Sequence, residues 1–200
     1  SLVADWPATS ACKQSPKQAV DYLQRFDAGH PLTACLGGTE CDGRVFYNSD
    51  MSGFNFRFER MPLAHALRQL TVNAALEKPP LMYIASTNID RWLPGFRDHN
   101  EIAGLAVKQP LASIWLGNRS RIAAHYDFPS NIACCVAGRR RFVLFPPEQL
   151  PNLYVGPLDF TPAGQPISLV DFKNPDYQRF PKFRTCLLYT SDAADEVDSV

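Results

Sequence analysis

Apolar positions recur at threes in Val20, Leu23 and Phe26, behind Ser15-Pro16 and ahead of Gly29. That spacing predicts a helix over 16–26, capped by Ser15, opened by Pro16 and ended by Gly29. Short β-type runs follow at 32–36, 44–47 and 54–58, parted by the turn pairs Gly37-Gly38, Asp42-Gly43 and Ser52-Gly53. A second helix is predicted over 62–77, with Leu63, Ala66, Leu67, Leu70 and Ala74 on one side and Pro79-Pro80 as its stop. Beyond it strands dominate, at 81–85, 111–116, 121–127, 131–137 and 140–145. Gly138 marks a turn and Pro146-Pro147 closes the last run, before a helical turn at 148–153. Residues 154–184 are rich in Pro and Gly, and no repeat or linker breaks the chain. The order predicts a mainly β barrel or sandwich decorated by N-terminal helices.

Composition narrows this. Two hundred residues, 46% hydrophobic and 20% charged, suit one globular domain with a core. Seventeen prolines disfavour a long-helix bundle. No run approaches the ~20 apolar residues of a membrane helix, and no basic-then-apolar segment opens the chain. Six cysteines without a CxxC pair fit a reduced, cytoplasmic protein better than a disulfide scaffold. The formal charge of zero hides an uneven distribution. Residues 186–200 carry Asp192, Asp195, Glu196 and Asp198 and no Lys or Arg, which leaves 20 bases against 16 acids in 1–185. That is too weakly basic for a nucleic-acid stripe, and the run Arg139-Arg140-Arg141 would split between two strand faces. Neither nucleic acid nor membrane is expected as a partner.

The ends read as cut. Ser1-Leu2-Val3-Ala4-Asp5-Trp6-Pro7 looks like the middle of a segment. The stretch from Cys186 to Glu196 resembles the conceptual translation of a transposon-based sequencing adapter, against an ordinary acidic tail as the alternative. The expectation is a partial domain over 1–185 and a non-native tail over 186–200 that adds little to the core.

The chemistry centres on His125-Tyr126-Asp127. On a strand, residues two apart face the same side, so His125 and Asp127 would converge with Tyr126 opposite. An imidazole and a carboxylate are two of the three ligands of a 2-His-1-carboxylate iron site. Taken alone, the tripeptide equally reads as a hydrogen-bonded pair. Its context is similar to JmjC-type, cupin-like oxygenases, the group that includes the asparaginyl hydroxylase of hypoxia-inducible factor. The resemblance is carried by His125-Tyr126-Asp127, Asn131, the run from Gly138 through Pro146-Pro147 to Gln149, Asn152 to Asp159 and Asn174 to Phe183. Upstream, Phe26-Asp27-Ala28-Gly29-His30-Pro31, Phe46-Tyr47-Asn48 and Leu93-Pro94-Gly95-Phe96 add to it.

The resemblance implies a double-stranded β-helix (jelly-roll, cupin) fold, incomplete at the C-terminus. It implies Fe(II) and 2-oxoglutarate as cofactors, with His125 and Asp127 as iron ligands. Arg140 falls where the family's hydroxylases carry a Lys that binds the distal carboxylate of 2-oxoglutarate. Asn131 and Tyr83 match polar residues of the same cosubstrate site, and all are expected to face one cavity. Two departures stand out. Ile122 occupies a position where a hydrogen-bonding Thr is expected, and no histidine follows residue 127 to supply the third ligand. His30, His65 and His99 lie upstream and read as ordinary loop or helix residues. Cys134-Cys135 read as small core residues. The expected function is oxygenation, in particular hydroxylation, of a protein or small-molecule substrate by the intact protein, with this chain inactive. The alternative is a non-catalytic cupin-like binding module; demethylation would rest on fold name alone. A homodimer formed through a later element is compatible with the resemblance.

Overall fold

Two proline-led helices open the chain, α1 (Pro7–Gln14) and α2 (Pro16–Gln24). Proline suits a first helical turn because its missing N–H would have no partner there. Between the helices Ser15 is extended, and its hydroxyl accepts from the Gln18 N–H at 3.1 Å. The computed structural model describes residues 2–105, 107, 110–186 and 189–192. Leu187 and Leu188 of the expected tail, and 193–200, lie outside the described residues.

A four-stranded antiparallel sheet follows, built from β1 (Leu32–Gly37), β3 (Arg57–Met61), β4 (Leu81–Asn88) and β5 (Ser113–Gly117) in the order β3-β1-β4-β5. The central strand β4 is buried on both faces through Leu81, Met82, Tyr83 and Ile84. The period of two sorts these side chains. Met82 and Ile84 join Leu32 and Ala34 of β1 against α2 and α3 (Leu63–Ala74), which supply Tyr22, Leu63, Ala66 and Leu67. Leu81 and Tyr83 face the other way, with Cys35, Cys41, Val45 and Phe56. The sheet thus carries helices on one side and leaves Tyr83 on the side away from them. A short α4 (Ile89–Trp92) continues directly from β4, its first turn capped by the Asn88 side chain.

Asn100 ties this layer to the N-terminus. It is 2% exposed. Its Oδ1 accepts from the Ala8 N–H at 3.0 Å, and its Nδ2 donates to the Tyr22 hydroxyl and the Phe96 carbonyl, both at 2.8 Å. One of the open N–H groups of α1 is therefore satisfied from 92 residues away. Asn100→Leu keeps the bulk but strands these groups. It is expected to lower the unfolding free energy by about 3 kcal/mol, read from urea midpoints.

Outside the main sheet, β2 (Arg44–Val45) pairs parallel with β6 (Arg121–Ile122), and β7 (Arg141–Leu144) pairs antiparallel with β8 (Tyr189–Asp192). The predominance of antiparallel strands agrees with the expected mainly β class. Four predicted strands differ. The run 44–47 is a strand only through Val45, 54–58 only from Arg57, and 121–127 only through Ile122, while 131–137 forms none. These residues have strand-like side chains, but a strand is defined by a paired neighbour, and among the described residues 123–127 and 131–137 form no ladder with another segment.

Candidate metal centre

The chain leaves β6 at Ile122 and enters the segment that carries the candidate ligands. What fixes its start is an ionic cluster. Arg121 Nη1 donates to both oxygens of Asp171 at 2.9 Å, and its Nη2 reaches Asp42 Oδ2 at 3.0 Å. The Lys173 N–H adds a third contact to Asp171 at 3.1 Å. Ser168 N donates to the Ala124 carbonyl at 2.8 Å, so segment 168–173 braces this approach along its length. Partial burial pushes the Asp171 carboxyl up, but the hydrogen bond and charge of Arg121, with the Arg44 charge and the Lys173 N–H, outweigh it. The group titrates below the ordinary carboxylate range. Its ionised form is thus favoured in the folded state, so its stabilisation is present above the unfolded value and fades as pH falls through the depressed one. Asp171→Asn is expected to cost about 2 kcal/mol at neutral pH. The difference from the unsubstituted protein should shrink on acidification, which urea midpoints measured across the acid limb will show.

His125 and Asp127 do converge, although from irregular chain rather than a strand. His125 Nε2 lies 3.9 Å from Asp127 Oδ1. The other ring nitrogen, Nδ1, is 2.8 Å from the Ala123 carbonyl. A carbonyl only accepts, so Nδ1 carries a proton, and Nε2 is the ring nitrogen left facing Asp127 as the candidate metal donor. Asp127 is oriented in turn: Gln165 Nε2 donates to Oδ1 at 2.9 Å and Asn131 Nδ2 to Oδ2 at 3.4 Å. Gln165 had no sequence signal, being 38 residues from its partner.

Tyr83 and Arg140 complete the group. Tyr83 is 9% exposed and lies within the field of the Arg140 and Asp127 charges. Burial pushes its hydroxyl up, against the pull of Arg140, so it stays protonated at neutral pH. His125, Asp127 and Asn131 are thus in contact, with Tyr83 within the field of Asp127 and Arg140. The expected enclosed cavity is instead a half-open surface, with the His125 side chain 32% and that of Asp127 46% exposed. Ile122 packs against the cluster of Cys35, Val45 and Tyr83 and brings no polar contact.

The donors suit a divalent ion of intermediate softness. Two bonds of about 2.1 Å at a right angle span only ~3.0 Å, so His125 Nε2 and Asp127 Oδ1, 3.9 Å apart, must draw closer to hold one ion side by side. Among the described residues no group of three His, Cys, Asp or Glu side chains is placed to hold a metal. Cys35 lies opposite Tyr83 in the β1–β4 register, and burial pushes its thiol up to about 11. The other histidines stay outside: His65 bonds Arg68 and Gln69 on α3, and His30 packs edge-on to Trp92. Cys134 and Cys135 are half-buried rather than core residues. No described helix is long and apolar enough to cross a membrane.

Comparison with known proteins adds to this geometry. A family profile described as a cupin-like domain matches residues 1–192. JmjC domain-containing protein D of Dictyostelium discoideum is 37% identical over 73 residues, 36% of this chain and 16% of that protein. Lysine-specific demethylase JMJ31 of Arabidopsis thaliana is 28% identical over 112 residues, 56% of this chain and 18% of that protein. tRNA wybutosine-synthesizing protein 5 of Gallus gallus is 34% identical over 65 residues, 32% of this chain and 18% of that protein. The matches thus span less than a fifth of these relatives' lengths.

Proposed function

The chain belongs to the cupin-like domain family, and from that premise we propose that the intact protein is an Fe(II)- and 2-oxoglutarate-dependent oxygenase, in particular a hydroxylase. The observation that carries the reading is the approach of His125 Nε2 to an Asp127 carboxylate oxygen, with Tyr83 within the field of Asp127 and Arg140. His125 and Asp127 are the residues that hold iron. When bound, iron and 2-oxoglutarate supply the oxidising power, drawn from O2 with decarboxylation of the cosubstrate to succinate.

The chain's own residues do the positioning. The Ala123 carbonyl holds the His125 tautomer, and Gln165 and Asn131 aim the Asp127 carboxylate. Arg140 offers a planar fork to the distal carboxylate of 2-oxoglutarate, where a Lys would offer a single point charge. The Tyr83 hydroxyl steadies that fork from the buried side. The relatives' names include a lysine demethylase and a tRNA-modifying protein, so the framework they share is compatible with several substrate classes.

The test is succinate release by the intact protein with and without Fe(II). We expect release only when both iron and 2-oxoglutarate are present. Arg140→Ala should raise the KM for 2-oxoglutarate by about tenfold or more, and Arg140→Lys should recover most of that loss. A second reading, a non-catalytic binding module, is favoured by the apolar Ile122 and by two rather than three donors among the described residues. Neither succinate release nor iron uptake by the intact protein would select it.

A further inference from the structure

Away from the metal centre, segments 44–51 and 169–179 enclose a cleft of about 240 Å3. Arg44, Phe46, Ser49, Met51, Leu169 and Arg179 contribute to its lining, and its only charged lining residues among those described are the two arginines. Arg44 is well fixed. Its guanidinium lies 3.5 Å from the Phe46 ring centre, and Nη2 donates to the Leu169 carbonyl at 3.2 Å. The nearest carboxylate oxygen, Asp171 Oδ2, is 4.0 Å from Nε, and Arg121 already occupies both oxygens of that carboxylate. A guanidinium carries five N–H donors, so most of those on Arg44 remain for another partner.

Arg179 makes no ion pair among the described residues. Its backbone is pinned by Asp176 Oδ1, which accepts from the Arg179 N–H at 3.0 Å, and its guanidinium lies 5.1 Å from the Phe180 ring centre. Burial pulls the Arg44 value below its ordinary range; the Asp171 charge opposes this and the charges of Arg121 and Arg179 add to it. The cleft is therefore a partly desolvated, net cationic pocket with an apolar wall.

We propose that this cleft binds a phosphomonoester, its phosphate held between Arg44 and Arg179 and its organic group laid against Phe46, Met51 and Leu169. A phosphomonoester carries about −1.5 to −2 charge near neutral pH, which two guanidiniums match, whereas a carboxylate needs only one. The site shares no residue with the proposed iron centre, so its test is independent of the oxygenase reading.

The test is calorimetric titration of this chain with phenyl phosphate, benzoate and inorganic phosphate at constant ionic strength. Phenyl phosphate is expected to bind saturably and about tenfold tighter than benzoate, with inorganic phosphate competing. Arg179→Gln should weaken phenyl phosphate by about tenfold with little change in melting temperature, since the side chain makes no ion pair among the described residues and its one ring contact, to Phe180, is long. Arg44→Lys, which keeps the charge but loses the fork, should weaken it as well. His125→Ala should leave binding unaltered. Absence of saturable binding, equal affinity for benzoate, or indifference to Arg179→Gln would overturn the proposal.

Discussion

Asp127→Ala in the intact protein is expected to lower Fe(II) affinity by roughly 100-fold or more and to abolish iron-dependent succinate release. The far-UV circular dichroism spectrum should not change, because the side chain is 46% exposed and supports no core cluster. The size of the effect follows from its proposed role: Asp127 would be the one charged protein donor of the iron site, and its loss removes that charge together with a ligand. Gln165→Ala is the graded control. It removes the 2.9 Å hydrogen bond that aims the carboxylate but keeps the ligand, so a loss nearer tenfold is expected. Iron affinity measured by competition with a chelator separates the two. Equal, small effects would mean that the carboxylate only orients His125, and the metal reading would fail.

The largest effect on stability is expected at Ile84. It is 0% exposed, sits on the central strand β4 opposite Leu116 of β5, and packs with Ala34, Ala66 and their neighbours beneath the helices. Ile84→Ala removes three carbons from a region bounded by paired backbone, which cannot collapse to refill the space. A loss of about 3–4 kcal/mol follows from burial plus the cavity left behind. Leu111→Ala, at a residue 81% exposed, should change stability by less than about 0.5 kcal/mol. Urea denaturation of both variants gives the comparison; similar midpoints would mean that β4 is not the centre of the core.

Several elements were legible in the residues because their signals are local. Ser15-Pro16 marks the start of α2, and Pro62 precedes the apolar stripe of α3 at Leu63, Ala66 and Leu67. The strands β1 and β4 lie where apolar runs are bounded by glycine or proline. The helix α1 was missed because its buried face is made of Ala8, Thr9 and Ala11, small residues that give little periodic contrast. The run 121–137 looked like two strands because its side chains favour extended backbone, yet β6 stops at Ile122. Whether extended chain becomes sheet depends on a partner that the segment does not itself encode.

The order of residues alone determined the spacing of His125 and Asp127, the helices α2 and α3 and the mainly β class, since each follows from steric and periodic rules acting over a few neighbours. Tyr83 and Arg140 were tied to that site by the family resemblance, and only the folded chain decided that Gln165 joins them and that Asp171 fastens the approach. Those contacts join residues separated by tens of positions. Their formation is settled by which apolar faces are buried together, and no local pattern in the chain records that choice.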